Sequence, residues 1–273
     1  MDLENFYNSL LVKNGFSEIT VNGYRKVLLK FFKEIGTLTI NEEIINGYIA
    51  KMRTNGYSYS HIVNTSVALE RYTGFIGSPV KLGRPRKPKQ LIKNVLTEGE
   101  VARILAVTKN KREQAILAIL VYTGIRNKEL CSLKVEDLDF DNQFLRVICG
   151  KGSKDRVVYF SKECSKILIE YLGEYKRDDK QFLFTTLVLR RQYNGWVLRK
   201  LVKVVSKRAR VKKRVYPHLF RHSFACNLLN RGANIMTIQS LMGHNDVRTT
   251  LIYAHSTPQR IRQEYDFYMP SFI

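Results

Sequence analysis

Residues 80–94, VKLGRPRKPKQLIKN, limit most strongly how this chain can fold. The stretch holds two prolines, one glycine and six Lys or Arg, and no acidic residue. Proline removes a backbone donor and fixes φ, and glycine is costly to order, so neither a continuous helix nor a strand is expected to cross it. It reads as a linker, with 83–95 joining a domain at 1–82 to a second at 96–273. A length of 273 residues is enough for two cores. The charge on the linker suits it to lie along phosphates; a merely solvated linker is the alternative.

The first domain reads as four or five short helices. Phe6, Leu10 and Leu11, then Tyr24, Val27, Leu28, Phe31, Phe32 and Ile35, recur at helical spacing. Thr20 is placed to cap a helix from Val21, with Gly36 ending it. A further helix is expected over 41–56, and another opens at Ser58 or Ser60. This is a small all-α domain.

In the second domain Thr97 is a plausible N-cap, and AILAILVY (115–122) is apolar all round, as a core helix is. Residues 144–149 and 157–160 are β-branched and aromatic, and Gly150 and Gly152 bracket a turn between them. They predict a hairpin with Lys151 at its tip. The remainder reads as helical, including 217–230 and 235–242 ending at Gly243. The fold class is therefore mainly α, with a small antiparallel β-sheet in the C-terminal domain.

Charge narrows the function. The net charge is +22. Residues 1–82 contribute only +2 of it, and no acidic residue occurs from Lys180 to Asn245. Within that window residues 199–214 carry nine Lys or Arg. A solvated basic surface normally intersperses Glu, so a polyanion partner is expected, nucleic acid ahead of an anionic membrane surface. The candidate DNA contacts are Arg84, Arg86, Lys87 and Lys89 in the linker, and Arg199, Lys200, Lys203 and Lys207 beyond it. No apolar run of about 18 residues is present, so no membrane span is expected. The start, MDLENFYNSL, lacks a signal peptide's pattern, which gives a cytoplasmic expectation. Cys131, Cys149, Cys164 and Cys226 are widely spaced, predicting reduced cysteines and neither a metal site nor a disulfide.

Six side chains carry candidate chemistry. His218 and Arg221 stand at i and i+3 on a helix that starts at Pro217, so they share a face near its N-terminus. Arg126 follows Thr123–Gly124 at the end of the core helix; a surface arginine paired with Glu129 is its bland reading. Two arginine forks suit the non-bridging oxygens of one phosphodiester. Tyr253 is the candidate nucleophile, Lys151 the acid for the leaving oxygen, His218 the proton acceptor or a phosphate ligand, and His244 a donor to the phosphate. No metal and no cofactor are called for.

TGIRNKEL, GKGSKDR, HLFRHSFA and LMGHNDVRTTLIYAH, in this order and spacing, closely resemble the tyrosine recombinases, the phage integrase family. The resemblance extends over nearly the whole chain and is most like the short Xer group, in particular its archaeal XerA-like members. Family positions fall on Arg126, Lys151, His218, Arg221, His244 and Tyr253. Departures are small: Phe220 where leucine is usual, and Asn127–Lys128 after the first arginine. The resemblance implies a helical core-binding domain and a catalytic domain. It also implies site-specific recombination through a 3′-phosphotyrosine and a Holliday junction, on a DNA-bound tetramer. The apolar tail 258–273 fits a segment handed to a neighbouring subunit, or one packed on its own. A mobile-element integrase of similar length shares these motifs. A type IB topoisomerase and a DNA-binding regulator that kept the fold are the more distant alternatives.

Overall fold

Capping chemistry decides where the first helices begin. In the computed structural model, which describes residues 3–37, 40–86, 95–148, 155–175, 181–186 and 191–243, the chain forms two compact units, Met1–Ile92 and Lys93–Ile273. The first unit holds α1 (Leu3–Val12), α2 (Glu18–Ile35), α3 (Glu42–Thr54) and α4 (Tyr59–Phe75). Asn41 and Ser58 cap α3 and α4 through their side-chain oxygens. The expected start of α2 is corrected: Ser17, not Thr20, is the N-cap, and it accepts from the Thr20 N–H. Both hydroxyls suit a cap, and the one placed three residues before an unsatisfied N–H takes the role. Gly36 ends α2 in the left-handed region, at φ 69°.

The four helices close over an aromatic core. Leu28, Phe31, Ile45 and Leu69 are fully buried. Phe6 meets Tyr72 edge-on at 5.3 Å, and Phe31 meets Tyr48 at 5.0 Å. Such pairs contribute about 0.5–1.5 kcal/mol beyond the area they bury. The basic stretch begins folded onto this unit: Leu82 is buried, and its N–H donates to Glu70 Oε1 at 2.8 Å. Residues 87–94 lie outside the described residues.

The second unit is built round α6 (Lys111–Thr123), in which every side chain from Ala115 to Leu120 is fully buried. It packs against α8 (Lys162–Glu174), α10 (Pro217–Asn230) and α5 (Glu98–Ala106). Six consecutive buried residues leave no polar face, so α6 is surrounded. Thr97 and Glu100 form the capping box that starts α5. Short α7 (Asn127–Ser132) follows α6. Then come a 3-10 turn (Val135–Asp137), the three strands, α8, α9 (Gly195–Arg208), α10 and α11 (Ile235–Met242).

The sheet is antiparallel, in the order β1-β2-β3, with β1 at Leu138–Asp139, β2 at Phe144–Val147 and β3 at Arg156–Tyr159. Leu145 pairs with Val158, and both face the core, whereas Arg146 and Val157 face out. The hairpin expectation is met in its strands, each shifted or shortened at one end. Two-residue β1 was not anticipated, being too short for a period. The expected tip, with Lys151, lies outside the described residues. Cys131 and Cys164 are buried, and loss of solvent raises their thiol pKa values to about 11 and about 12. Cys226 is half-buried and Cys149 lies outside the described residues.

Candidate active site

Arg126 owes its place to the end of α6. Gly124 caps that helix at φ 59°, and a Cβ there would stand 2.4 Å from the Phe224 ring of α10. Only glycine allows both the turn and the close approach of the two helices. The turn delivers Arg126 to the N-cap of α7, where its N–H donates to Glu129 Oε2 at 2.6 Å. Its guanidinium donates to Glu129 Oε1 at 2.8 Å and to the Gly243 carbonyl at 2.7 Å. The side chain stays 34% exposed, so a ligand can reach it.

α10 supplies the next two groups. Pro217 occupies its first turn, His218 follows, and Arg221 sits one turn on. Arg221 is 5% exposed; it donates to the Gly124 carbonyl at 2.8 Å and to the Met242 carbonyl. His218 is solvent-facing, yet the protein behind it desolvates the ring enough to lower its pKa, and the charges of Arg221 and Arg126 lower it further. A neutral imidazole at pH 7 can accept a proton.

Arg126 and Arg221 converge, together with Arg156 of β3, at the carboxyl end of α11. A helix leaves its last carbonyls without internal partners. Here the Gly243 N–H serves Gln239 and Ser240. Arg156 Nε donates to Leu241 at 3.0 Å, Arg221 to Met242 and Arg126 to Gly243. Met242 and Gly243 are adjacent, with Cα atoms about 3.8 Å apart, so the forks of Arg126 and Arg221 are neighbours. Among the described residues, one carboxylate, Glu129, stands among three guanidiniums, a cationic group suited to an anion.

Two members of the cluster were not read as functional from the sequence. Glu129 was treated only as the partner in the bland reading of Arg126, and Arg156 was passed over inside GKGSKDR. Glu129 Oε1 and Oε2 accept a two-pronged contact from Arg156 at 2.9 and 2.8 Å. Burial alone would raise the Glu129 pKa; hydrogen bonds from Arg156 and the Arg126 backbone outweigh it and hold the carboxyl at about 2. The signal was available: Arg156 shares the inward face of β3 with Val158, and a buried cation demands a carboxylate. His222 and Phe224 pack against Cys226 and Gly124 respectively. Lys151, His244 and Tyr253 lie outside the described residues.

The candidate DNA contacts divide as well. Arg199, Lys200, Lys203 and Lys207 are all exposed on α9, opposite its buried Leu198, Val202 and Val205. Lys200 lies over the exposed ring of Trp196, 5.3 Å from its centroid. Arg84 and Arg86 are exposed, but Arg84 is paired with Glu70. Lys87 and Lys89 lie outside the described residues. No described helix is long and apolar enough to cross a membrane.

Comparison with known proteins follows the same lines. The model of the phage integrase family matches residues 94–260. Tyrosine recombinase XerA of Pyrococcus horikoshii is 37% identical over 267 residues, 96% of this chain and 92% of its own. The crystal structure of a XerA recombinase aligns over 99% of this chain and 98% of its own, with 29% identity and a TM-score of 0.59. The Tn1549 transposon integrase, solved with transposon right end DNA, shares the fold at a TM-score of 0.79 and 20% identity, over 99% of this chain and all of the other.

Proposed function

The chain belongs to the phage integrase family, and on that premise we propose how its site works. It is a tyrosine recombinase, a site-specific enzyme that cuts and rejoins DNA. Arg126 and Arg221 hold the non-bridging oxygens of the scissile phosphate and stabilise the charge that grows as a fifth oxygen attacks. The Tyr253 phenolic oxygen forms the new bond to phosphorus, giving a 3′-phosphotyrosine, and its proton passes to His218. The 5′-oxygen departs with a proton from Lys151, while His244 donates to the phosphate. The 5′-hydroxyl of a partner duplex then reverses the step, forming a Holliday junction that a second round resolves.

The observation that carries the reading is the convergence of Arg126 and Arg221 on adjacent carbonyls of α11, with His218 beside them. The exposed cations of α9 and the basic linker grip backbone phosphates, which positions the protein without reading sequence. Residues 1–82 act as the core-binding domain, 83–95 as the linker and 96–273 as the catalytic domain. Four subunits work on two synapsed sites in the cytoplasm, each passing its tail, 258–273, to a neighbour. The biological task is Xer-type resolution of chromosome or plasmid dimers.

The test compares wild type with Tyr253→Phe on sheared DNA of the source genome in EDTA, reading covalent adducts on a denaturing gel. Adducts with wild type alone are expected. Adducts with Tyr253→Phe as well would refute the assignment of the nucleophile.

A further inference from the structure

We propose that Arg156 is a positioning residue for strand cleavage: through Glu129 and the carboxyl end of α11 it fixes the orientation in which Arg126 meets the phosphate. The inference rests on the reading of Arg126 as a phosphate ligand.

Arg156 does not reach DNA itself. Its side chain is 8% exposed, against 34% for Arg126. Its reach is internal, from β3 to α7 and α11 at once. Both terminal nitrogens bind the two oxygens of Glu129, and Nε binds the Leu241 carbonyl. The same Glu129 oxygens take the Arg126 guanidinium and the Arg126 N–H. Arg126 is thus held at two points, the Glu129 carboxylate and the Gly243 carbonyl, and Arg156 braces both. A two-pronged guanidinium contact fixes the plane of a carboxylate, which a point charge does not.

The fit at Gly243 is a second, independent sign. Gly243 turns at φ 59°, and a Cβ there would stand 2.8 Å from Arg156 Cδ and 2.9 Å from Nε. The stem of Arg156 therefore passes directly beneath the turn whose carbonyl orients Arg126. Small displacements of a phosphate ligand are costly: about 1 Å of misplacement lowers a rate about 100-fold.

A structural role would slow cleavage only as far as it unfolds the protein. A positioning role through a carboxylate makes a sharper demand. With Arg156 gone, Glu129 loses its largest stabilising contact and keeps its burial, so its pKa rises. Among the described residues, the titratable and charged groups that act on it include Arg126 at the start of α7, Arg156 on β3 and His218 on α10, where Arg221 also lies. Protonated Glu129 no longer holds Arg126 as an ion pair, and activity falls with it.

The experiment uses the full chain and a nicked duplex carrying the site recovered by covalent capture of sheared source-genome DNA with wild type. Single-turnover cleavage and gel-shift affinity are measured for wild type, R156Q, R156K and E129Q/R156Q across about pH 5 to 8. R156Q is expected to bind as wild type does, to cleave about 100-fold more slowly, and to show an acid limb from Glu129 that wild type lacks, in addition to that of His218. E129Q/R156Q lacks that limb, because His218 remains and Glu129 does not. R156K folds with its charge in place, binds normally, lacks the new limb and still cleaves slowly, having no fork. Cleavage by R156Q or R156K at the wild-type rate overturns the inference. So does slow cleavage by R156Q with an unchanged pH profile, or a limb that survives in E129Q/R156Q. Absence of Tyr253-dependent adducts with wild type overturns instead the phosphate-site reading, and this inference falls with it.

Discussion

Gly124→Ala probes how α6, α10 and the site depend on one turn. Two costs follow from the geometry. The residue sits at φ 59°, ψ 20°, where an alanine Cβ crowds the following carbonyl at about 1–2 kcal/mol. That Cβ would also stand 2.4 Å from Phe224 Cδ1 and 2.8 Å from Cγ, closer than packing allows. Forcing an extra carbon into such a place costs about 1–3 kcal/mol. The sum is about 2–5 kcal/mol, and the two parts separate in a double-mutant cycle. In a Phe224→Ala background the ring contacts are gone and the backbone part remains with one 3.2 Å contact to Cβ, so the coupling is about 1–3 kcal/mol. Gly124→Asn should keep the clash but relax the backbone part, since asparagine tolerates the left-handed region. Trp196 is the single tryptophan and lies in the second unit, so its fluorescence in urea follows that unit alone. If Gly124→Ala costs the same with and without Phe224, the close approach is not what selects glycine.

Glu129→Gln should destabilise the second unit by about 3 kcal/mol at pH 7. The folded pKa of about 2 lies below the ordinary 4.5, so the carboxylate contributes fully above about pH 4.5 and loses its contribution as pH falls through 2. The gap between the urea unfolding free energies of wild type and Glu129→Gln should close over that window; a gap independent of pH would refute the assignment. Arg84→Ala with Arg86→Ala should weaken binding to unrelated duplexes equally and flatten the slope of log K against log salt by about 0.9, the share of Arg86, because Glu70 already holds Arg84. Glu70→Gln, which releases Arg84, should steepen that slope by about 0.9, and fluorescence anisotropy at several salt concentrations checks both.

What could be read in advance was whatever is local. The apolar run of α6, Pro217 at the start of α10, and Gly36 and Gly243 as helix ends each declare themselves within a few residues. The start of α2 misled because Ser17 and Thr20 are both good caps three residues apart, and only the backbone geometry chooses. Strand β1 has two residues and no period to detect. Arg126, His218 and Arg221 were found through their motifs, but not the means by which they meet. The anchors of the two arginines at the end of α11 join residues 117 and 21 positions apart. Arg156 reaches Glu129 across 27 positions and Leu241 across 85. Contacts of that range leave no pattern in a window of sequence; the inward register of β3 was the one hint.

α11 is eight residues long, too short to hold its shape alone. The carbonyls of its last two residues and of its cap, Gly243, are closed by Arg156, Arg221 and Arg126 in turn. Arg126 and Arg221, the cations proposed to hold a phosphate, thus also finish a helix, and those two duties cannot drift apart. A descendant that abandoned chemistry would still need those guanidiniums to keep its last turn wound. Retention of all three by a silent relative would therefore be evidence of folding, not of activity.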